Sequence, residues 1–320
     1  MLRNFRFQKF RFFLRPLEDI ELSSFKGATL RGGFGSAFRR IVCLKRDLPG
    51  CQACPLKKVC VYSFIFETSP SENSTKLRKM KDIPRPFIIE PPLDGRNIFS
   101  GEDYLSFNLI LIGRAIDYLP YFIFTFEELG KRGLGKGRGK YEFDRVEVSR
   151  PESQDKAEII YSGKDKIICD SFEPIKIEKI LTQSSSINSN IISLKFLTPT
   201  RIKFNNKLLG SPEFHHLIRA LLHRISALSY FHCGQELEVD FKRIIEKAGE
   251  VEKVSSELTW SEFERYSTRQ KTRMKMGGFI GKVTYRGDVS EFLPFLLLGE
   301  QIHIGKSCTF GFGKYIVNAD

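Results

Sequence analysis

One order of elements occurs twice in this chain, and that repeat restricts the fold more than any single motif. In the first half, Asp117 is placed to cap a helix with Pro120 in its first turn, running to Leu129 and stopped by Gly130. A basic glycine loop follows, Lys131-Arg132-Gly133-Leu-Gly135-Lys136-Gly137-Arg138-Gly139-Lys140, and then an alternating strand with Tyr141, Phe143, Val146 and Val148. In the second half, Ser290 opens a helix with Pro294 in its first turn and Gly299 as its stop. A second glycine loop, His303-Ile-Gly305-Lys306 through Phe310-Gly311-Phe-Gly313, leads into a closing strand over Lys314–Val317. The repeat is one of order and not only of composition.

The rest of each half fits the same plan. Phe5, Phe7, Phe10 and Phe12 alternate with a one-residue slip, which predicts a strand with a bulge. Leu30, Phe34, Ala37, Phe38 and Ile41 are apolar at helical spacing, although Gly32, Gly33 and Gly35 interrupt that helix. Each glycine there costs about 1 kcal/mol relative to Ala, which points to close packing or a ligand on that face. Phe87–Ile89 and Leu105–Ile112 read as strands. After the linker-like polar run from Gln183 to Asn190, Ile192, Leu194 and Phe196 alternate, and Pro199 is expected to turn the chain. Ser211-Pro212-Glu213 then starts a long amphipathic helix, and Phe279–Tyr285 reads as a strand. The expected fold class is α+β: two tandem ferredoxin-like (RRM-like) βαββαβ domains, over 1–184 and 190–320, the first with a cysteine-rich, zinc-type insertion. Sheets of this type often bind single-stranded RNA.

Charge agrees with a polyanion partner. The 320 residues carry 51 Lys and Arg against 38 Asp and Glu, a net +13. Lysines and glycine amides in the two loops are the groups that approach phosphate closely. No apolar run is long enough for a membrane span, and the N-terminus has no export signal, so a cytoplasmic protein is expected, with no membrane partner.

Four of the seven cysteines crowd into one stretch, Cys43-x7-Cys51-x2-Cys54-x5-Cys60. Four local thiols favour metal over disulfide chemistry, with a structural Zn²⁺ expected, an iron–sulfur cluster as the alternative, and no catalytic metal. The stretch from Gly299 to Ser307 is not a nucleotide loop, since five residues separate its glycines where four are needed and no helix follows. Among the histidines, His215, His216 and His223 read as solvated positions on the long helix. His303 differs by lying inside the glycine loop, where a proton donor or acceptor is useful at neutral pH and a structural hydrogen bond is the competing role. Trp260-Ser-Glu-Phe-Glu-Arg265-Tyr266-Ser-Thr-Arg269-Gln270 combines groups that stack on bases and bind phosphates.

Together these stretches resemble the CRISPR-associated endoribonucleases that cut precursor CRISPR RNA, within the repeat-associated mysterious protein (RAMP) superfamily. The glycine-rich end, His303 to Gly313, is the most specific match. The segment from Trp260 through Gly277-Gly278-Phe279 to Gly281, and Lys26-Gly27-Ala-Thr-Leu-Arg31-Gly32 with the cysteines, are similar to a subset of that family. The resemblance implies metal-independent cleavage by the ribose 2′-hydroxyl, leaving a 2′,3′-cyclic phosphate and a 5′-hydroxyl. It implies precursor CRISPR RNA as partner; the alternative reading is a non-catalytic RAMP subunit that binds guide RNA in a CRISPR effector complex. Many members place a histidine near the first helix; here the earliest is His215. The expected catalytic set is His303, Tyr266 and Lys306. Lys26, Arg31, Lys136, Arg138, Arg269, Gly305, Gly311 and Gly313 are expected to hold RNA.

Overall fold

The computed structural model describes residues 2–48, 50–70, 77, 80, 82–149, 157–169, 172–185, 187, 190–267 and 272–319; the side chains at 149, 265–267, 273 and 319 fall outside the description. The chain divides into two compact units, Phe7–Pro174, and Ile175–Asp320 together with Met1–Arg6.

The first unit is built on β1 (Arg6–Pro16), α1 (Lys26–Val42), α2 (Val61–Phe66), β2 (Phe87–Glu90), β3 (Leu105–Ile112), α3 (Leu119–Arg132), β4 (Tyr141–Ser149) and β5 (Ala157–Ser162). Its sheet runs β2–β3–β1–β4–β5 with antiparallel neighbours, and β1 sits centrally, Phe12 opposite both Phe107 and Val146. The bulge falls between Phe13 and Leu14 against β4, later in the strand than the phenylalanine spacing suggested. The phenylalanines form the core. Phe34 of α1 stacks on Phe122 and Phe126 of α3, centroids 4.9 and 5.2 Å apart, and Phe126 meets Phe12 edge-on at 5.6 Å. Offset and edge contacts of this kind add roughly 0.5–1.5 kcal/mol per pair beyond area burial. The α1 glycines are partly explained: a Cβ on Gly33 would lie 3.1 Å from Leu129 and Leu134, whereas Gly32 faces open space.

The second unit contains α4 (Ile177–Ser185), β6 (Ile191–Thr200), the short hairpin β7 (Lys203–Phe204) and β8 (Lys207–Leu208), α5 (Phe214–Leu228), α6 (Phe241–Ala248), β9 (Glu252–Ser267), β10 (Thr272–Arg286), α7 (Leu293–Ile302) and β11 (Tyr315–Ala319). The four-stranded sheet has the order β9–β10–β6–β11, again antiparallel. In both units the second and third sheet strands of a β-α-β-β-α-β succession lie to one side of the first, and the fourth lies to the other. The repeated order of elements thus corresponds to a repeated sheet order.

Several expected boundaries differ. α3 passes through Gly130 to Arg132, with Gly133 as its cap. Pro199 lies inside β6. Residues Gln183–Ser185 of the polar run belong to α4, which packs on α7, so the division between units falls earlier, at Pro174. Gly299 does not stop α7: it marks where α7 crosses α5 and β11, and a Cβ there would stand 2.3 Å from both Leu221 Cδ2 and the Tyr315 hydroxyl.

Candidate nucleic-acid interface

The glycine loop that follows α7 is tied tightly to the end of β6. Ile304 donates to the Gly313 carbonyl at 3.0 Å, Gly313 to Pro199 at 3.1 Å and Lys306 to Arg201 at 2.9 Å. The Thr198 hydroxyl donates to the Gly311 carbonyl at 2.8 Å. Buried Arg224 of α5 sends two N–H groups to the Ile302 carbonyl, at 3.1 and 2.9 Å, and so caps α7 where the loop begins.

This geometry bears on two sequence expectations. The imidazole of His303 is fully buried, and its Nδ1 donates to the Phe312 carbonyl at 2.8 Å. In this geometry the ring ties the loop together and presents no surface to solvent. Gly305 and Gly313 are needed for close backbone packing. With φ of 74°, Gly313 would place a Cβ 1.9 Å from the Ile304 carbonyl, and Gly305 would place one 2.4 Å from that of Arg201. Gly311 and Gly313 already donate their amides, to Cys308 and Pro199. Lys306, by contrast, is exposed.

Lys306 has neighbours that sequence reading passed over. His215, Arg219 and His223 recur every fourth residue on α5, which places them along one helix face. Arg219 and His223 are exposed. Packing around the His223 ring, then the positive charges of Lys306 and Arg219, hold its imidazole below the ordinary histidine value. Lys306, Arg219 and His223 are thus all exposed, with the two cations near enough to act on the His223 ring. The i, i+4, i+8 spacing was visible in the sequence, but nothing local indicated that Lys306 would join it. At the head of α5, Glu213 and His216 cap reciprocally: His216 Nδ1 accepts from the Glu213 N–H at 3.0 Å.

In the first unit, Lys136 and Arg138 stand exposed at the tip of the other glycine loop. Lys136 has an exposed ion pair with Glu21 at 3.3 Å, worth little in water. Lys26 is a correction: it is buried, 3.5 Å from Asp94, and is neutralised inside the unit. Partial burial would raise the Asp94 carboxyl, but Arg96 and Lys26 outweigh it and hold that group low. Arg31 is half-buried, with its guanidinium 5.0 Å from the Phe66 ring centre, a position that serves α1–α2 packing. Trp260 is exposed on β9, opposite Phe279. Tyr266 follows on the same strand, but its side chain lies outside the described residues, as does all of Arg269.

Cys43, Cys51, Cys54 and Cys60 all line one cavity of about 240 Å³, together with Arg39 and Lys57. Desolvation, then Glu67, Cys60 and Cys43, push the Cys51 thiol up. The donor set suits a tetrahedral metal, yet among the described residues no three Cys, His, Asp or Glu side chains are grouped as metal ligands. The thiols thus share a cavity without forming a closed centre. No helix among the described residues is long and apolar enough to cross a membrane.

Residues 5–172 match the AF_1859 N-terminal domain, and residues 194–315 match the CRISPR-associated endoribonuclease Cas6 domain. An uncharacterized protein of Archaeoglobus fulgidus is 27% identical over 307 residues, covering 94% of each chain. Among solved structures, a Cas6 product complex aligns with a TM-score of 0.58 at 15% identity, over 98% of this chain and all of that one. Thermus thermophilus Cas6 aligns at 0.55 with 14% identity, over 98% and 99% of the two chains. At such identities the structural likeness is one of fold, and the domain matches carry the assignment. By its first half the chain belongs to the family of the AF_1859 N-terminal domain, and its second half is similar to the CRISPR-associated endoribonuclease Cas6 domain.

Proposed function

We propose that this chain is an endoribonuclease that cuts CRISPR repeat RNA to give mature guide RNA, working as two tandem ferredoxin-like domains and without a catalytic metal. In the proposed reaction the ribose 2′-oxygen loses its proton and attacks the adjacent phosphorus. The bond from phosphorus to the 5′-oxygen then breaks, and that oxygen takes up a proton. The products are a 2′,3′-cyclic phosphate and a 5′-hydroxyl. The step needs a base, an acid and positive charge on the phosphorane. His223 is assigned the proton transfer in place of His303, and Lys306 and Arg219 the charge. Tyr266 and Arg269 remain candidates, and Lys136 and Arg138 are assigned RNA backbone contacts.

The observation that carries this reading is that exposed Lys306, Arg219 and His223, the two cations acting on the ring, lie within the segment that matches the Cas6 domain. Incubation with a repeat transcript in EDTA tests it. Cleavage with a cyclic-phosphate end is expected, and an intact transcript overturns the nuclease. A second reading, a non-catalytic RAMP subunit that binds guide RNA in an effector complex, is favoured by the lack of any histidine before His215. Tight binding without cutting would establish it.

A structural metal on Cys43, Cys51, Cys54 and Cys60 is a separate part of the proposal, resting on their spacing and shared cavity. Binding would require the loop to tighten around the ion, which couples metal to local folding. Elemental analysis of anaerobically purified protein is expected to give one zinc per chain. A metal-free protein with an unchanged melting temperature sinks this part alone.

A further inference from the structure

The hairpin between β6 and α5 has no place in the reaction proposed above. It consists of β7 and β8 joined through Asn205 and Asn206, both with positive φ, as a two-residue turn of primed type requires. Phe204 pairs across it with Lys207, so both side chains occupy one face. The Phe204 ring is half-buried and packed from the helix side. The His216 ring lies 4.4 Å from it, that of His215 6.4 Å, and the Arg219 guanidinium 5.4 Å from its centre. Neither Lys207 nor Arg219 has an ion pair among the described residues, and both are exposed. Glu213, at the head of α5, is engaged by Lys253 at 2.6 Å.

We infer that Phe204 and Lys207 form a nucleotide-binding step for single-stranded RNA beside His223 and Lys306. This deepens the reading under Proposed function by naming how its substrate is held. An unpaired base would rest on Phe204, whose ring is held by His216 and Arg219 and loses little freedom on binding. The phosphates on either side of that base would be met by Lys207 and by Arg219. From there the exposed α5 face leads to His223 and Lys306, so the strand would run from a stacking position to the reacting one. A pairing of one aromatic platform with uncompensated cations is what sequence-tolerant binding of a single strand requires, because every base offers a π-face. The chemistry fits an unpaired segment of the transcript, and a duplex has no free base to offer this ring.

Binding of a fluorescent oligouridylate, measured by anisotropy across a salt series, tests the step without depending on cleavage. Phe204→Ala is expected to weaken binding on the order of tenfold, and Phe204→Tyr to restore it. Lys207→Gln is expected to lower the salt slope by about 0.7, the value for one phosphate of a single strand. Lys207→Gln changes an exposed residue and keeps the test sound if Phe204→Ala loosens the hairpin. Wild-type affinity and slope in both variants would overturn the step while leaving repeat cleavage intact. A failure of the wild type to bind oligouridylate also overturns it, whereas loss of repeat cleavage alone counts against the nuclease and not against this site.

Discussion

At the scale of the residue, His303 and His223 differ most in their surroundings: His303 is buried and His223 is exposed. His303 sits in the signature loop but donates to the Phe312 carbonyl from a fully buried place. Its removal leaves a buried carbonyl without its donor, which costs about 1–3 kcal/mol. His303→Ala is therefore expected to lower the melting temperature, with rate falling only as far as folded protein is lost. His223→Ala should keep that stability and RNA affinity but lose about 10²–10⁴-fold in cleavage rate, the usual cost of one proton-transfer group. Single-turnover rates and melting curves on both variants separate these outcomes. The pH dependence has a definite sign. Desolvation, then Lys306 and Arg219, hold His223 below about 6.5, so its ring is neutral and able to accept a proton at pH 7. Cleavage that depends on this base should fall as pH drops through the lowered value, and the fall should vanish in His223→Ala.

The elements show where local rules yield to packing. Glycine at 299 reads as a helix stop, yet α7 continues because Gly299 lets Leu221 and Tyr315 reach the helix. The Tyr315 hydroxyl donates to the Leu296 carbonyl at 2.6 Å through that gap. Gly299→Ala is thus expected to destabilise the second unit by about 1–3 kcal/mol despite the better helix propensity of Ala. Chemical denaturation of the single variant checks this; a stabilised protein would mean that the crossing relaxes freely. The head of α5 offers a pH test. His216 accepts a hydrogen bond through Nδ1, and desolvation, then His215, depress its folded pKa. Its contribution is present above about 6.5, the ordinary value, and is lost as pH falls through the lowered folded one. His216→Gln, which keeps a side-chain acceptor at that position, should flatten this acid loss in thermal melts across pH 5–8.

For the whole molecule, charge is the property that both units share. Net +13 and exposed cations at the two loops predict RNA affinity that falls steeply with salt. Changing Lys136 and Arg138 together to Gln should weaken binding to many RNAs alike and reduce the salt slope by about 1.4, for two phosphates. An unchanged slope would make the first glycine loop an ordinary surface turn. Fold stability in the first unit depends instead on its phenylalanines. Phe34→Ala removes the ring that stacks on both Phe122 and Phe126 and is expected to cost about 3–5 kcal/mol.

The sequence by itself determined the α+β class, the repeated order of elements and most strand and helix positions, because alternation and 3.6-residue spacing are local properties. It also carried the signature of the glycine loop and the excess of positive charge. It could not decide what the loop glycines do. A glycine that lets backbone approach an anion and one that lets backbone approach its own chain look identical until the partner atom is known, and for Gly313 that atom is the Ile304 carbonyl. The sequence likewise placed Lys26 and Arg31 among the RNA contacts, since burial of a lysine against Asp94, which is 68 positions away in the chain, leaves no local mark. Only the tertiary structure brought Lys306 to the face of α5 that carries Arg219 and His223, because side chains distant in sequence become neighbours through packing alone.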